Sequence, residues 1–204
     1  MSERNAPPLI DTHEALQPVW GELAGARVLG LDLEMDSYYS YFEKVCLVQL
    51  STERSDFLID PLAELDLSPL APFLADPSTV KVLHAGENDI PYLRGPLGFE
   101  VNNIFDTYLA ARVLGCPRCG LASLLQEHFG VVLDKDMQTA DWRVRPLPEA
   151  QMEYARMDTR YLLPLRDKMR ELLAENEMEE QARSEFDRIT RLEHTPRQFD
   201  PLSW

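Results

Sequence analysis

The sequence contains no run of 18 apolar residues, and its opening Met1-Ser2-Glu3-Arg4-Asn5 lacks the basic-then-apolar order of a secretory signal. A soluble, cytoplasmic protein with no membrane partner is the expectation. Cysteine is scarce. There are three, an odd number, two of them in Cys116-Pro117-Arg118-Cys119. That count does not make a disulfide framework, and a single CxxC lacks the second ligand pair that structural zinc needs, so a loop with two free thiols is expected. Basic residues are also few. Against 35 Asp and Glu stand 20 Lys and Arg, a net charge of -15, which argues against a protein that holds nucleic acid by bulk electrostatics. Internal repeats and low-complexity segments are missing too.

What is present is ordinary for an ordered globular chain: 204 residues, 45% hydrophobic and 27% charged. That length suits one domain with a full core. The charge is unevenly spread. Residues 134 to 170 carry Lys135, Arg143, Arg145, Arg156, Arg160, Arg166, Lys168 and Arg170 against a similar number of acids, while both ends of the chain are strongly acidic. A phosphate-bearing partner is therefore expected to approach that side.

Residues 1 to 8 read as a loose terminus. Asp11 or Thr12 then caps a short helix toward Leu23, and Gly25-Ala26 leads into a strand over Arg27 to Glu34. Strands follow over Lys44 to Ser51 and Asp56 to Asp60, and their short connections suit an antiparallel meander. A small helix ends at Asp76-Pro77, and Val80 to His84 is a further short strand. The turn Gly86-Glu87-Asn88-Asp89 opens a helix with Pro91 in its first turn. Val101 to Phe105 is the last strand, and Asp106 caps a helix over Thr107 to Leu114 that stops at Gly115. Another helix spans Leu121 to Phe129. After a structured loop over 131 to 146, a long amphipathic helix runs from Pro148 to Glu175, kinked near Pro164. This order of elements indicates an α/β mixed sheet.

The candidate chemistry begins in the first long strand. Leu29, Leu31 and Leu33 alternate with Gly30, Asp32 and Glu34, so one face is apolar and the other carries two carboxylates. Asp32 and Glu34 leave that face about 7 Å apart, close enough for one divalent cation to bridge. Asp89 lies at a strand-to-helix turn. Tyr154 and Asp158, four apart, share a face of the late helix. Each feature alone has a structural explanation: a solvated strand face, an acid at a helix N-terminus, a core tyrosine. Together they form a set. Four carboxylates brought together would repel one another without cations, and all-oxygen ligands select Mg²⁺ or Mn²⁺ over zinc or copper.

These motifs resemble those of the DEDD superfamily of 3'-5' exonucleases, in its tyrosine-bearing subfamily, and are most similar to ribonuclease D and the related nuclear exosome exonuclease. The first is Leu29 to Asp36, continued by Lys44 to Ser51. The second is Leu83-His84-Ala85-Gly86-Glu87-Asn88-Asp89, with Phe105-Asp106-Thr107 after it. Leu133-Asp134-Lys135, Gln138, Asp141-Trp142 and Arg145-Pro146-Leu147 resemble the loop before the third motif, Tyr154-Ala155-Arg156-Met157-Asp158. The match covers roughly residues 25 to 175, leaving 1 to 24 as an N-terminal segment and 176 to 204 as a C-terminal helix with a linker-like tail. The HRDC domain that ribonuclease D normally continues into is expected to be absent from these 204 residues.

The resemblance implies a ribonuclease H-like fold, its first three strands antiparallel and its sheet flanked by helices, and a two-metal mechanism. It makes Asp32, Glu34, Asp89 and Asp158 ligands of two divalent cations, and Tyr154 the group that orients the attacking water. It offers Met35 and His84 as contacts to the terminal nucleotide. Lys135 and Arg145 are candidate phosphate contacts, and Gln138 a sugar or phosphate contact. Trp142 reads as core, and Asp106 as a helix cap. The implied activity is removal of 5'-mononucleotides from RNA 3' ends, in tRNA or other structured precursors. Single-stranded DNA is the alternative substrate. A non-catalytic RNA-binding scaffold is a third reading, which the intact acid set disfavours.

Overall fold

The computed structural model describes residues 7–133, 137 and 139–196. Six strands form one sheet: β1 (Leu9–Ile10), β2 (Val28–Met35), β3 (Val45–Ser51), β4 (Asp56–Ile59), β5 (Val80–Leu83) and β6 (Ile104–Asp106), in the order β1-β4-β3-β2-β5-β6. Strands β2, β3 and β4 pair antiparallel, whereas β5 joins β2, β6 joins β5 and β1 joins β4, each in parallel. This is the mixed sheet expected from the sequence, with its antiparallel first part. The two-residue β1 falls where a loose terminus was expected to end. It is too short to show a period.

Helices cover the sheet: α1 (His13–Leu23), α2 (Ala71–Ala75), α3 (Ile90–Arg94), α4 (Thr107–Val113), α5 (Leu121–Phe129), α6 (Glu149–Arg160), α7 (Leu162–Glu175) and α8 (Glu179–Ile189). Thr12 caps α1 by accepting from the Ala15 N–H at 3.2 Å. The long helix expected over 148 to 175 is two helices, separated at Tyr161. Pro164 explains the position of the break. It has no N–H to offer the carbonyl of Arg160, its ring would clash there, and it fits the first turn of a new helix.

Leu29, Leu31 and Leu33 are all buried, in the main core with Leu16, Val19 and Leu23 of α1. Each such side chain contributes about 1.5–3 kcal/mol by leaving water. The opposite face of β2 and β3 lies under α6. Strand β3 is buried along its whole length because both its faces are covered. A second, smaller core of Cys46, Leu47, Leu58, Trp142, Leu147 and Ala155 fills that side.

Candidate active site

Helix α6 approaches β2 closely because Gly30 has no side chain. A Cβ there would lie 3.0 Å from the Thr159 carbonyl oxygen. Three further contacts fix the helix in place. Ser51 donates to Thr159 Oγ1 at 2.7 Å, and Arg156 and Arg160 reach Asp56 Oδ2 on β4 at 3.5 and 2.9 Å. The seated helix delivers Asp158 to the acidic face of β2. Ligand oxygens of Asp32, Glu34 and Asp158 lie within 4.8 Å of one another.

Asp89 reaches the same place by a different route. Ala85 adopts a left-handed backbone (φ 59°), and Gly86 follows where a Cβ would meet Leu83 Cδ2 at 2.9 Å. Asp106 holds this turn: its carboxylate accepts from Gly86 N at 2.7 Å and Ala85 N at 3.3 Å while also capping α4 through Leu109 N at 2.8 Å. The cap was foreseen from the sequence, the clamp on the turn was not. Asp89, buried, then faces Asp32.

The electrostatics of the cluster follow from this geometry. Burial pushes the Asp32 carboxyl up to about 7, partly offset by a hydrogen bond from the Leu33 backbone. Burial raises Glu34 well above the usual carboxylate range, and Asp32, Asp158 and Asp89 raise it further. Asp89 is raised by burial, then by Asp32 and Asp106. Asp158 is raised by burial and by Asp32, against a hydrogen bond from Tyr154. Like charges at these separations repel by about 3 kcal/mol per pair at an effective dielectric of about 20. The donors are all oxygen, half-buried or buried, and convergent, which fits a site for divalent cations. Tyr154 sits one turn before Asp158 and hydrogen-bonds it. Burial first, then Asp158, Glu34 and Asp32, push its hydroxyl far above its ordinary range, so it remains a proton donor.

The five residues expected to carry the chemistry line one cleft of about 370 Å³, together with Met35 and His84. A register shift between Glu34 and Met35 in the β2–β3 pairing marks a bulge where the strand leaves the site. His84 is a cleft wall with its Nδ1 satisfied, 2.9 Å from Thr107 Oγ1, and burial lowers its pKa to about 4. Trp142 is buried, 6.1 Å from the Tyr154 ring, as core. Cys116 and Cys119 are free thiols. Lys135 and Gln138 lie outside the described residues.

Arg145 corrects the sequence reading. Its guanidinium donates to Asp60 at 2.5 and 2.7 Å and to the carbonyls of Trp142, Val144 and Cys46, each at 2.8 Å. All five of its donors are spent on the protein, which makes it a brace for the 142–147 loop, away from the cleft. The expected basic approach over 134 to 170 is largely neutralised in the same way, since Arg143, Arg156, Arg160 and Arg166 also pair with acids. Asn88, Gly120 to Ser123 and Leu133, to which sequence reasoning gave no site role, also line the cleft. Small residues at the start of a helix carry no signal in sequence that they face a site.

A family model described as 3'-5' exonuclease matches residues 7–174. The chain belongs to the 3'-5' exonuclease family. Exosome complex component 10 of Mus musculus is 42% identical over 163 residues, which is 79% of this chain and 18% of that protein's length. The catalytic core of RRP6 from Trypanosoma brucei superposes with a TM-score of 0.89 at 33% identity, covering 98% of this chain and 58% of that one. RNase D of Escherichia coli, an exoribonuclease involved in structured RNA processing, superposes with a TM-score of 0.84 at 34% identity, covering 92% of this chain and 50% of the other. The acidic cleft is thus set in the fold of a nuclease family that includes RNA-acting members. Among the described residues no helix is long and apolar enough to cross a membrane.

Proposed function

We propose that this chain is a metal-dependent 3'-5' exoribonuclease that releases 5'-mononucleotides from RNA 3' ends by two-metal-ion hydrolysis. One observation carries the reading: acids from an early strand and a late helix meet within 4.8 Å, with a tyrosine hydroxyl bonded to one of them. RNA is favoured as substrate by the likeness to an exoribonuclease and to exosome components.

In this reading Asp32, Glu34 and Asp158 would hold a divalent cation on the attacking-water side, and Asp32 with Asp89 would serve the leaving-group side. When bound, Mg²⁺ or Mn²⁺ offsets the carboxylate repulsion, acidifies water and stabilises the attacking and leaving oxygens of an in-line displacement. Tyr154 keeps its proton and orients the water by hydrogen bonding. Neutral His84 has no charge to give a phosphate. Its free nitrogen is suited to accept from a sugar hydroxyl, and Met35 to pack on the terminal nucleotide. Lys135 keeps its proposed role at a phosphate, and Gln138 at a sugar or phosphate.

The test is incubation of 5'-labelled RNA and matched DNA with Mg²⁺, with Mn²⁺ and with chelator. Stepwise shortening of RNA from its 3' end, abolished by chelator, is expected. No shortening with either cation, or internal cleavage, would contradict the reading, and shortening of DNA alone would move the substrate to DNA.

A further inference from the structure

The β2–β3 loop, residues 36–44, is unusual in what it exposes. Tyr38, Tyr39, Tyr41 and Phe42 are four of the eight exposed large hydrophobic residues among the described residues, with Tyr38 72% and Phe42 61% exposed. The loop is nevertheless a built structure. The Asp36 carboxylate, itself buried, accepts from Lys44 N at 2.7 Å and Ser40 Oγ at 2.6 Å, and its carbonyl accepts from Tyr39 N and Ser40 N at 2.8 and 2.9 Å. Tyr39 is pinned from the other side. Its hydroxyl donates to the Thr139 carbonyl at 3.0 Å, and the Arg143 guanidinium lies over its ring at 4.9 Å.

The location gives this surface a meaning. Met35 lines the cleft, and Tyr38 follows it by three residues, so their Cα atoms are at most about 11 Å apart. Exposed aromatic rings therefore begin where the catalytic strand ends, and within them Tyr41 and Phe42 meet edge to face at 5.0 Å. Exposed apolar patches of this kind are rarely kept without something to cover them.

We propose that this loop is a base-stacking rim for the single-stranded RNA immediately upstream of the nucleotide being removed, with Tyr38 and Phe42 as its open platforms and Tyr39 held by Arg143 as its support. The proposal rests on the exoribonuclease reading for the identity of the strand. The charge balance favours it. A chain of net charge -15, in which Arg143, Arg145, Arg156 and Arg160 are paired with acids, has little to offer phosphates by counterion release. Aromatic rings hold any base through its π-face without needing positive charge. Binding by this rim is accordingly tolerant of base identity and weakly dependent on salt.

The experiment is a fluorescence-anisotropy titration of labelled single-stranded oligoadenylate in calcium, with strand integrity checked at the end. Native protein is compared with Tyr38→Ala, Phe42→Ala and the double variant, each against the normal strand and one with abasic sugars upstream of the 3' nucleotide. Both side chains are exposed, so unchanged melting is expected. Each replacement should weaken binding of the normal strand about tenfold and make little further difference on the abasic strand. Equal affinity of native and double variant, or the same loss on both strands, would overturn the rim and leave the surface for a protein partner. A native protein that shows the predicted pattern yet shortens no RNA with Mg²⁺ or Mn²⁺ would end the exonuclease reading while supporting the rim.

Discussion

On the two sides of helix α6 the chain buries carboxylates and treats them in opposite ways. Toward β4 each acid has an arginine: Asp56 receives Arg156 and Arg160, and Asp60 receives Arg145 in a two-point contact. Toward β2, among the described residues, no lysine or arginine pairs with Asp32, Glu34, Asp89 or Asp158. The first group locks the helix down. The second is held in mutual repulsion by the elements the first group secures, and the charge it lacks must come from outside the chain. Placing the braces at one face and the uncompensated acids at the other lets one helix serve both stability and chemistry.

The comparison breaks most visibly at the unpaired acids. Asp32→Asn or Asp158→Asn should lower RNA turnover by several orders of magnitude while circular dichroism and melting show a retained fold, since each removes a proposed cation ligand and relieves repulsion. On the braced side the sign is reversed for stability. Asp56→Ala leaves Arg156 and Arg160 facing a buried void and should destabilise by about 3–5 kcal/mol in a denaturant titration. Gly30→Ala tests the link between the two sides. Its methyl would force α6 away from β2, costing about 1–3 kcal/mol and loosening the acid cluster, so turnover should fall more than the loss of stability explains. Tyr154→Phe removes one hydrogen bond and keeps every ligand, and should cost about tenfold to a hundredfold in turnover.

The smallest effect is a pH-dependent one. A carboxyl raised to about 7 by burial, as Asp32 is, stays protonated in the folded, cation-free protein after its unfolded counterpart has ionised near its ordinary value. Stability of the chelated protein should therefore fall as pH rises from about 4 to about 7, because the unfolded chain holds fewer protons there. Added Mg²⁺ should raise the melting temperature more at about pH 7.5 than at about pH 5. An equal rise at both would dissociate the cation effect from these carboxyls.

Much of this contrast could be read in the sequence, and the reasons are local. The alternation around Asp32 and Glu34 shows a strand with two unlike faces, and the four-residue step from Tyr154 to Asp158 puts them on one side of a helix. Asp106 looks like a cap because it immediately precedes a helical pattern. What could not be read depends on long-range pairing. Arg145 stands in a locally basic loop and resembles a phosphate contact until its partner Asp60, just past the end of β4, is seen. The same holds for Arg156 and Arg160 with Asp56. Gly120 to Ser123 line the cleft through placement alone, and the exposed rings after Met35 gain meaning only from the cleft beside them.

Whether the unpaired acids bind cations as a unit is measured directly by calorimetric titration of Mn²⁺ into chelator-stripped protein. Saturable binding to the native chain, lost or weakened by an order of magnitude or more in Asp158→Asn and unaffected by Arg145→Gln, is the predicted result. Absence of binding to the native protein, or the same isotherm for native and Asp158→Asn, would contradict it.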